Sequence, residues 1–225
     1  MSAAAPTAPA ATLTARQAMI ESQLKPCGLV SHALVAAFHA VPREDFVDPA
    51  RRGLAYVDAA QPLGGGRTMM PPLSLGRLLQ EGAPRTTDHA LIVGAGTGYA
   101  AAILARLAGS VVALESDPAL VGRARALLAG SPNVTVAEGP LEAGWPAAAP
   151  YSFLLVDGAI EGDLPDALVA QLADGAQAVA VVIGPDGVAR AAHARKSAGL
   201  VRLEPFAEAP ADLLPPFRQP PRFRF

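Results

Sequence analysis

The feature that most constrains the fold is a run with glycine at every second position, Gly94-Ala95-Gly96-Thr97-Gly98. Three apolar residues precede the run and an alanine-rich segment follows it, which is typical of a buried strand, a tight turn and the start of a helix. Glycine lets the backbone approach a ligand closely, and the first turn of a helix offers unpaired N–H groups to polar or anionic ligand groups. The segment therefore predicts a turn that binds a nucleotide-like cofactor.

The spacing of the glycines discriminates between such cofactors. A dinucleotide-binding turn has its third glycine, or an alanine, three residues after the second, and Tyr99 stands in that place here. Because a tyrosine there would obstruct close packing of the helix on the strand, NAD and FAD are disfavoured. The sequence also contains no Gly-Lys-Ser/Thr, which excludes a P-loop.

A carboxylate at the end of the next apolar run supports a ribose-containing ligand. Glu115 follows Val111-Val112-Ala113-Leu114. It comes about 20 residues after the first glycine, where a ribose-binding acid is expected at the tip of the second strand. The alternative is a surface residue at a strand end, and we favour the ribose role.

Apolar and amphipathic segments alternate from about His89 onward. The pattern predicts strands at 89–93, 111–115, 133–137, 152–156 and 178–183, with helices at 98–107, 118–128 and 164–173 between them. Such alternation predicts an α/β fold with a Rossmann-like, doubly wound and mainly parallel sheet. Upstream, helices are predicted at 14–25, 31–40 and 73–81. The proline-rich segment from Val201 is expected to supply antiparallel edge strands.

We expect one domain after a short N-terminal extension. Residues 1–13 are rich in alanine, proline and threonine and are predicted to be disordered. The domain covers 14–225, divided into an N-terminal helical and loop part at 14–85, a cofactor-binding core at 86–185 and a C-terminal edge at 186–225. Thr14 with Gln17 predicts a capping box at the first helix, and Ser31 and Asp117 are predicted N-caps of later helices.

Composition argues against several classes of partner. Eighteen basic and twenty acidic residues give a formal net charge of −2, without a basic stripe that would indicate nucleic acid. The single cysteine, Cys27, excludes an intramolecular disulfide and favours a reducing compartment. No apolar run could cross a bilayer and no signal peptide is recognisable, so we expect a cytoplasmic protein that does not bind membranes. The four histidines lack the spacing of a metal site, and the sequence leaves the oligomeric state open.

The N-terminal third contains a series of residues that resembles a known family. The series reads Arg16, Met19, Gln23-Leu24, Gly28-Leu29, Val41-Pro42-Arg43-Glu44, Phe46-Val47, Pro62-Leu63 and Gly66-Arg67-Thr68. Further along come Gly98-Tyr99-Ala100-Ala101, Glu138-Gly139 and Gly144-Trp145-Pro146. The glycine run is similar to motif I of the class I S-adenosylmethionine (SAM) methyltransferases. In this order and spacing, the chain resembles the protein-L-isoaspartate O-methyltransferase family over roughly residues 16–185.

This resemblance implies a repair enzyme that transfers a methyl group from SAM to the α-carboxyl of an isoaspartyl residue in a damaged protein or peptide. The ester then collapses to a succinimide, which reopens partly to normal aspartate. Since the acceptor carboxylate is ionised at neutral pH, the reaction requires alignment and exclusion of water more than a strong base. Glu138 is expected to read the adenine amino group, with a solvated loop carboxylate as the alternative, and Tyr99 to pack under the cofactor, with a plain core position as the alternative. The implied SAM-binding residues are Gly94, Gly96, Thr97, Gly98, Tyr99, Glu115, Glu138, Gly139 and Asp157, and the implied acceptor-loop residues are Thr68 and Met70.

Three positions depart from the family pattern. The family's Thr-Ile-Ser-x-Pro loop beside the substrate carboxylate reads Thr68-Met69-Met70-Pro71-Pro72, so Met70 replaces a hydroxyl that can donate a hydrogen bond. Ile92 stands where motif I has an acid that orients the glycine loop and the amino group of SAM. The end of the fourth strand, usually Val-Thr-Ala-Ala, reads Val156-Asp157-Gly158-Ala159. Asp157 is expected to contact the cofactor or an acceptor amine, or to cap the next turn.

These departures leave two alternatives to isoaspartyl repair. One is a methyltransferase with a different acceptor, in which Met70 makes an apolar contact instead of the serine's hydrogen bond. The other is a catalytically degenerate binding or regulatory protein that keeps the fold.

Overall fold

A computed structural model describes residues 10–219 and contains a central sheet of seven strands. The strands of this sheet are β3 (His89–Val93), β4 (Ser110–Glu115), β5 (Val134–Glu138), β6 (Tyr151–Glu161), β7 (Leu172–Ile183), β8 (Ala189–Arg195) and β9 (Glu204–Glu208). Their order across the sheet is β5-β4-β3-β6-β7-β8-β9. The first five are parallel, and β8 and β9 are antiparallel. The predicted fold class, with its antiparallel C-terminal edge, is confirmed.

A small hairpin and six α-helices complete the described part of the chain. The hairpin pairs β1 (Gln61–Gly64) with β2 (Arg67–Met69). The helices are α1 (Ala10–Met19), α2 (His32–Ala40), α3 (Pro72–Gly82), α4 (Tyr99–Leu104), α5 (Pro118–Leu127) and α6 (Asp166–Ala170). Buried side chains of α2, α3, α4 and α5 belong to the cluster on one face of the sheet, and those of α6 and the C-terminal segment to the cluster on the other. The sheet is therefore covered on both faces, as a doubly wound sheet requires.

The N-terminal prediction is partly wrong. Helix α1 already includes residues 10–13, which were predicted to be disordered, and residues 1–9 lie outside the described part of the chain. The capping box of Thr14 with Gln17 is wrong because the helix is under way before Thr14. A π-helical turn over Ile20–Leu24 and a 3₁₀ turn over Lys25–Cys27 continue it to Gly28, whose φ of 94° ends the helical path.

Later boundaries differ where strand pairing extends beyond the sequence pattern. Strand β7 begins at Leu172, so the predicted helix 164–173 is reduced to α6. The reason is that the carbonyl of Gln171 accepts from the N–H of Tyr151 at 2.8 Å and Leu172 pairs with Tyr151. Helix α4 ends at Leu104, short of the predicted 107, and β6 continues past the predicted 156 to Glu161.

Two helix N-caps are confirmed. The Oγ of Ser31 accepts from the N–H of Leu34 at 3.4 Å at the start of α2. The Oδ1 of Asp117 accepts from the N–H groups of Ala119 and Leu120 at 2.8 and 3.3 Å at the start of α5. None of the helices within residues 10–219 is long and apolar enough to span a membrane.

Candidate active site

The site predicted from the glycine run lies where the strand order reverses. After β3 the chain builds β4 and β5 outward on one side, then returns to add β6 on the other side of β3. Ligands of open α/β sheets bind in the crevice beyond the carboxyl ends of the strands at such a reversal. Val93 pairs with Val156 at this edge, so the glycine turn after β3 and Asp157 in β6 are neighbours.

The glycine turn has the geometry that its sequence predicts. Gly94, Gly96 and Gly98 have φ values of 84°, 56° and 95°, which other residues rarely adopt. The N–H groups of Gly94 and Ala95 donate to the carbonyl of Leu114 at 2.9 Å, and Gly98 is the N-cap of α4. The turn is thereby fixed against the end of β4.

Glu115 is fully buried against this turn. Its Oε2 accepts from the N–H of Gly96 at 2.7 Å. Its Oε1 accepts from the N–H groups of Ser116 and Asp117 at 2.7 and 3.1 Å, and from Nη1 of Arg67 at 3.0 Å. The predicted ribose acid is therefore beside the glycine turn, and its alternative as a surface residue is wrong.

Sequence reasoning missed Arg67, which lies 48 residues before its partner Glu115. Besides that ion pair, its Nη2 donates to the carbonyl of Gly94 at 3.0 Å. The hairpin that carries Arg67 covers the turn, because a Cβ on Gly96 would lie 2.8 Å from Cδ1 of Leu63. Leu214 of the C-terminal segment closes the other side, 3.1 Å from a Cβ built on Gly94. Neither contact has a local sequence signal, since both join distant segments.

Two residues assigned to the cofactor have structural contacts in the core. The Oγ1 of Thr97 donates to the carbonyl of Phe46 at 2.6 Å and is buried. Tyr99 is buried between Phe38 and Phe46, with ring centroids 6.5 and 5.6 Å away. Burial raises the pKa of the Tyr99 hydroxyl to about 12. Both side chains therefore support the floor of the turn.

A group of buried polar atoms without hydrogen-bond partners lies behind the turn. They are Nη1 of Arg43, the hydroxyl of Tyr99 and Oδ1 of Asp157. The guanidinium of Arg43 stacks over the Tyr99 ring, with Cζ 4.7 Å from the centroid, and its other nitrogens donate to the carbonyls of Ala55 and Met70. Unpaired buried polar atoms are rare in folded proteins and mark places where a water, ion or ligand group belongs.

Asp157 is the acidic member of this group. Its side chain is 7% exposed and lies within strand β6, so the interpretation as a cap of the next turn is wrong. Burial raises the pKa of Asp157 to about 7, although Arg67 and Arg43 favour its charged form. A cationic ligand group placed beside this buried carboxyl would favour its charged form and lower its pKa.

The remaining predicted residues lie at the rim. Glu138 ends β5 and is exposed, with Oε2 3.8 Å from Nη1 of Arg125. Gly139 donates from its N–H to the carbonyl of Glu115 at 3.1 Å, and a Cβ there would lie 3.5 Å from the Trp145 ring. Glu138 and Gly139 therefore lie at the carboxyl end of β5, beside the end of β4.

Thr68 and Met70 lie on the hairpin side of the crevice. Thr68 is half-buried in β2 and directly follows Arg67. The side chain of Met70 is 3% exposed, and its carbonyl accepts from Nη2 of Arg43 at 2.6 Å. Within residues 10–219, no cluster of three or more histidine, cysteine or acidic side chains could hold a metal ion.

Comparisons with known proteins agree with this geometry. A profile of the protein-L-isoaspartate(D-aspartate) O-methyltransferase family matches residues 14–208. The chain belongs to this family. A protein-L-isoaspartate O-methyltransferase of Methylorubrum extorquens is 42% identical over 174 residues, which is 77% of this chain and 75% of that protein. A second relative, protein-L-isoaspartate O-methyltransferase 2 of an Anaeromyxobacter species, is 39% identical over 77% of this chain and 72% of its own.

Solved structures confirm the fold of the isoaspartyl methyltransferase family for this chain. One protein-L-isoaspartate O-methyltransferase superposes with a TM-score of 0.76 at 22% identity, over 88% of this chain and 65% of its own. Another, from Plasmodium falciparum, is described as a beta-aspartate methyltransferase in complex with S-adenosyl-L-homocysteine. It superposes with a TM-score of 0.72 at 17% identity, over 90% of this chain and 97% of its own.

The crevice has the features that the SAM of this family requires. The glycine cradle, the buried acid Glu115 and the unpaired carboxylate of Asp157 offer contacts for a turn-bound nucleoside and a cationic amino acid. Arg67 forms an ion pair with Oε1 of Glu115 at 3.0 Å, on the side of the hairpin that carries Thr68.

Proposed function

We propose that the chain is a SAM-dependent carboxyl O-methyltransferase that acts on isoaspartyl residues of damaged proteins. The observation that carries this proposal is the family match over residues 14–208, which includes both the glycine turn and the Thr68 loop. The burial of Glu115 directly against Gly96 supports it, because the predicted ribose acid and the predicted turn are in contact. The lone cysteine, Cys27, is exposed and unpaired, which supports a reducing compartment such as the cytoplasm.

Each part of the crevice is assigned to one part of SAM. The turn at Gly94, Gly96 and Gly98 holds the nucleoside, with Glu115 on the ribose hydroxyls. Glu138 and Gly139 at the end of β5 hold the adenine edge. Asp157, whose Oδ1 has no partner within the described chain, binds the cationic α-amino group. Thr97 and Tyr99 support the turn from the core through the Phe46 carbonyl and the aromatic cluster.

Catalysis by these residues is a matter of alignment. Bound SAM supplies a methyl group on a positively charged sulfur, and the acceptor is a carboxylate oxygen that is ionised near neutral pH. The hairpin residue Thr68 orients that carboxylate with its hydroxyl, and Arg43 fixes the loop by holding the Met70 carbonyl. Burial of Leu63, Met70 and Leu214 excludes water from the reacting atoms.

A pair of measurements tests this function. Isothermal titration calorimetry with S-adenosyl-L-homocysteine reports cofactor binding without turnover. Radiolabelled SAM then reports methyl transfer to an isoaspartyl peptide, with the same peptide containing normal aspartate as control. We expect binding, and transfer to the isoaspartyl peptide only. Absence of binding contradicts the cofactor assignment, and binding without transfer contradicts the acceptor assignment alone.

A different acceptor is the second candidate, favoured by the burial of Met70 where the family has a hydroxyl. If the loop has the family geometry, Met70→Ser restores a hydrogen bond to a charged acceptor, worth about 1.5–3 kcal/mol, and raises isoaspartyl turnover by about ten- to a hundredfold. Met69→Ser is the matched control, since Met69 is also buried and precedes Met70 in the loop. Equal turnover in the wild type and both variants would favour a different acceptor.

A further inference from the structure

Of the two carboxylate oxygens of Glu115, Oε1 has no free capacity for a ribose hydroxyl in this structure. An ionised carboxylate offers about four acceptor positions on its two oxygens. Oε1 accepts from Nη1 of Arg67, from the N–H groups of Ser116 and Asp117 and, at 3.4 Å, from the Ser116 hydroxyl, whereas among the described residues Oε2 accepts only from the N–H of Gly96. A ribose diol that donates to both oxygens therefore competes for Oε1, where the Arg67 guanidinium is the only charged donor.

Arg67 is connected to the acceptor side of the crevice as well. It lies in β2 immediately before Thr68, and its guanidinium bridges Glu115 and the carbonyl of Gly94 at 3.0 Å each. The tip of the same hairpin is close to α5, because a Cβ on Gly65 would collide with Oδ2 of Asp117. The hairpin therefore lies on the cofactor turn through Arg67 and Leu63.

We propose that Arg67 competes with the cofactor for the carboxylate of Glu115. We propose also that it is a positioning residue for the β1–β2 hairpin, which carries Thr68. Its guanidinium holds Glu115 until the ribose displaces it, so cofactor binding releases the segment that carries Thr68. This inference rests on the proposed binding of SAM at the glycine turn. It makes the closed hairpin the state of the free protein, and it favours an order in which the cofactor binds before the protein substrate.

The competition has a measurable consequence for affinity. When only a fraction of molecules has Glu115 free, the apparent dissociation constant is the intrinsic constant divided by that fraction. Removing the guanidinium therefore tightens binding. Removing a residue that merely stabilised the fold would leave the affinity of the folded protein unchanged, and removing one that contacted the cofactor directly would weaken binding.

The test compares S-adenosyl-L-homocysteine affinity in Arg67→Met, Arg67→Lys and Arg190→Gln by calorimetry. In Arg67→Met, Glu115 keeps its three backbone donors, and we expect the dissociation constant to fall about tenfold or more. Lysine keeps the charge but not the planar fork, so the dissociation constant of Arg67→Lys should lie between those of the wild type and Arg67→Met. Arg190 forms an exposed pair with Asp186, and its loss should leave affinity unchanged.

A thermodynamic cycle with Glu115→Gln separates competition from indirect effects. If Arg67 acts through Glu115, the gain in S-adenosyl-L-homocysteine affinity caused by Arg67→Met disappears in the Glu115→Gln background. Equal or weaker binding by folded Arg67→Met overturns the competition while leaving the proposed function intact. If Arg67→Met fails to fold, Arg67→Lys decides the matter by the same criterion. Absence of binding in the wild type and in all variants overturns the proposed function and this inference together.

Discussion

The surroundings of Asp157 differ strongly from those of an ordinary surface aspartate. Its Oδ1 is buried without a partner, while Arg67 holds Glu115 and Arg43 holds two carbonyl groups. Burying a charge without a partner is costly, so such a group persists where a ligand completes it. Ile92 of β3 is fully buried, and Asp157 on the neighbouring strand β6 is a second acid near the turn besides Glu115.

Replacing Asp157 with asparagine tests its assignment to the α-amino group. Losing a charged hydrogen bond costs about 1.5–3 kcal/mol, so S-adenosyl-L-homocysteine should bind about ten to a hundred times more weakly. 5′-Methylthioadenosine, which lacks the amino acid part, should bind with unchanged affinity. The control is Asp163→Asn in an exposed loop. Calorimetry with both ligands measures these affinities. Equal losses of affinity for S-adenosyl-L-homocysteine and 5′-methylthioadenosine would indicate a structural role for Asp157.

The raised pKa of Asp157 also predicts how stability depends on pH. The folded protein holds this proton up to about pH 7, whereas the unfolded chain releases it near 3.8. Because the native state binds more protons in this window, the stability from this group is complete below pH 3.8 and is lost as pH rises to about 7. This one group contributes a slope of at most about 1.4 kcal/mol per pH unit.

Urea unfolding at several pH values measures that slope. The free energy of unfolding of Asp157→Asn should fall less between pH 4 and pH 7 than that of the wild type. Arg67, Arg43 and Glu115 are the charged groups that act on Asp157, and all three stay in place in this variant. Parallel curves for the two proteins would contradict the raised pKa.

The start of α5 joins two parts of the site. Asp117 caps the helix through Ala119 and Leu120, and its other oxygen faces Gly65 at the tip of the hairpin. The backbone N–H of the same residue donates to Glu115 at 3.1 Å. A single helix cap therefore connects the hairpin, the helix and the predicted ribose acid.

Asp117→Ala should destabilise the protein by about 1 kcal/mol through loss of the cap. Asp117→Asn keeps an acceptor oxygen and should be within a few tenths of a kcal/mol of the wild type. Chemical denaturation measures both differences. If the two variants lose the same amount, the negative charge rather than the cap stabilises this end of α5.

The elements that the sequence predicted well are those with a local signal. The glycine run, the N-caps Ser31 and Asp117 and the apolar strands are all encoded within a few residues. The extension of β7 back to Leu172 was not predictable, because it depends on pairing with Tyr151 across the sheet. A helical pattern ended by a distant strand is a case of tertiary context overriding local propensity.

The distinction between local signals and contacts of distant segments also holds for the candidate active site. The sequence located the turn, Glu115 and Asp157, because strand ends in a parallel sheet meet at one edge. It could not locate Arg67 on Glu115 or Arg43 on the Met70 carbonyl, since these contacts join segments that are 48 and 27 residues apart. The assignment of Thr97 to the cofactor stays a prediction, and its hydroxyl is engaged by the Phe46 carbonyl.

A buried network attaches the N-terminal helix to the acceptor side of the site. Arg16 of α1 donates to the hydroxyl of Tyr56 at 2.8 Å, to Glu44 at 3.1 Å and to the carbonyl of His39 at 2.8 Å. The hydroxyl of Tyr56 donates to the second oxygen of Glu44. Glu44 is next in sequence to Arg43, so α1 and the Met70 loop are connected through adjacent residues.

Arg16→Met should therefore destabilise the protein far more than the loss of an exposed ion pair. It leaves the buried carboxylate of Glu44 without a cation, which costs about 3–5 kcal/mol. Lys25→Met removes the exposed pair with Glu21 and should cost about 0.5 kcal/mol or less. Urea unfolding of both variants gives the comparison. Similar losses would mean that Arg16 contributes no more than a surface charge, and that α1 is held to the domain by apolar contacts such as those of Met19 and Ile20.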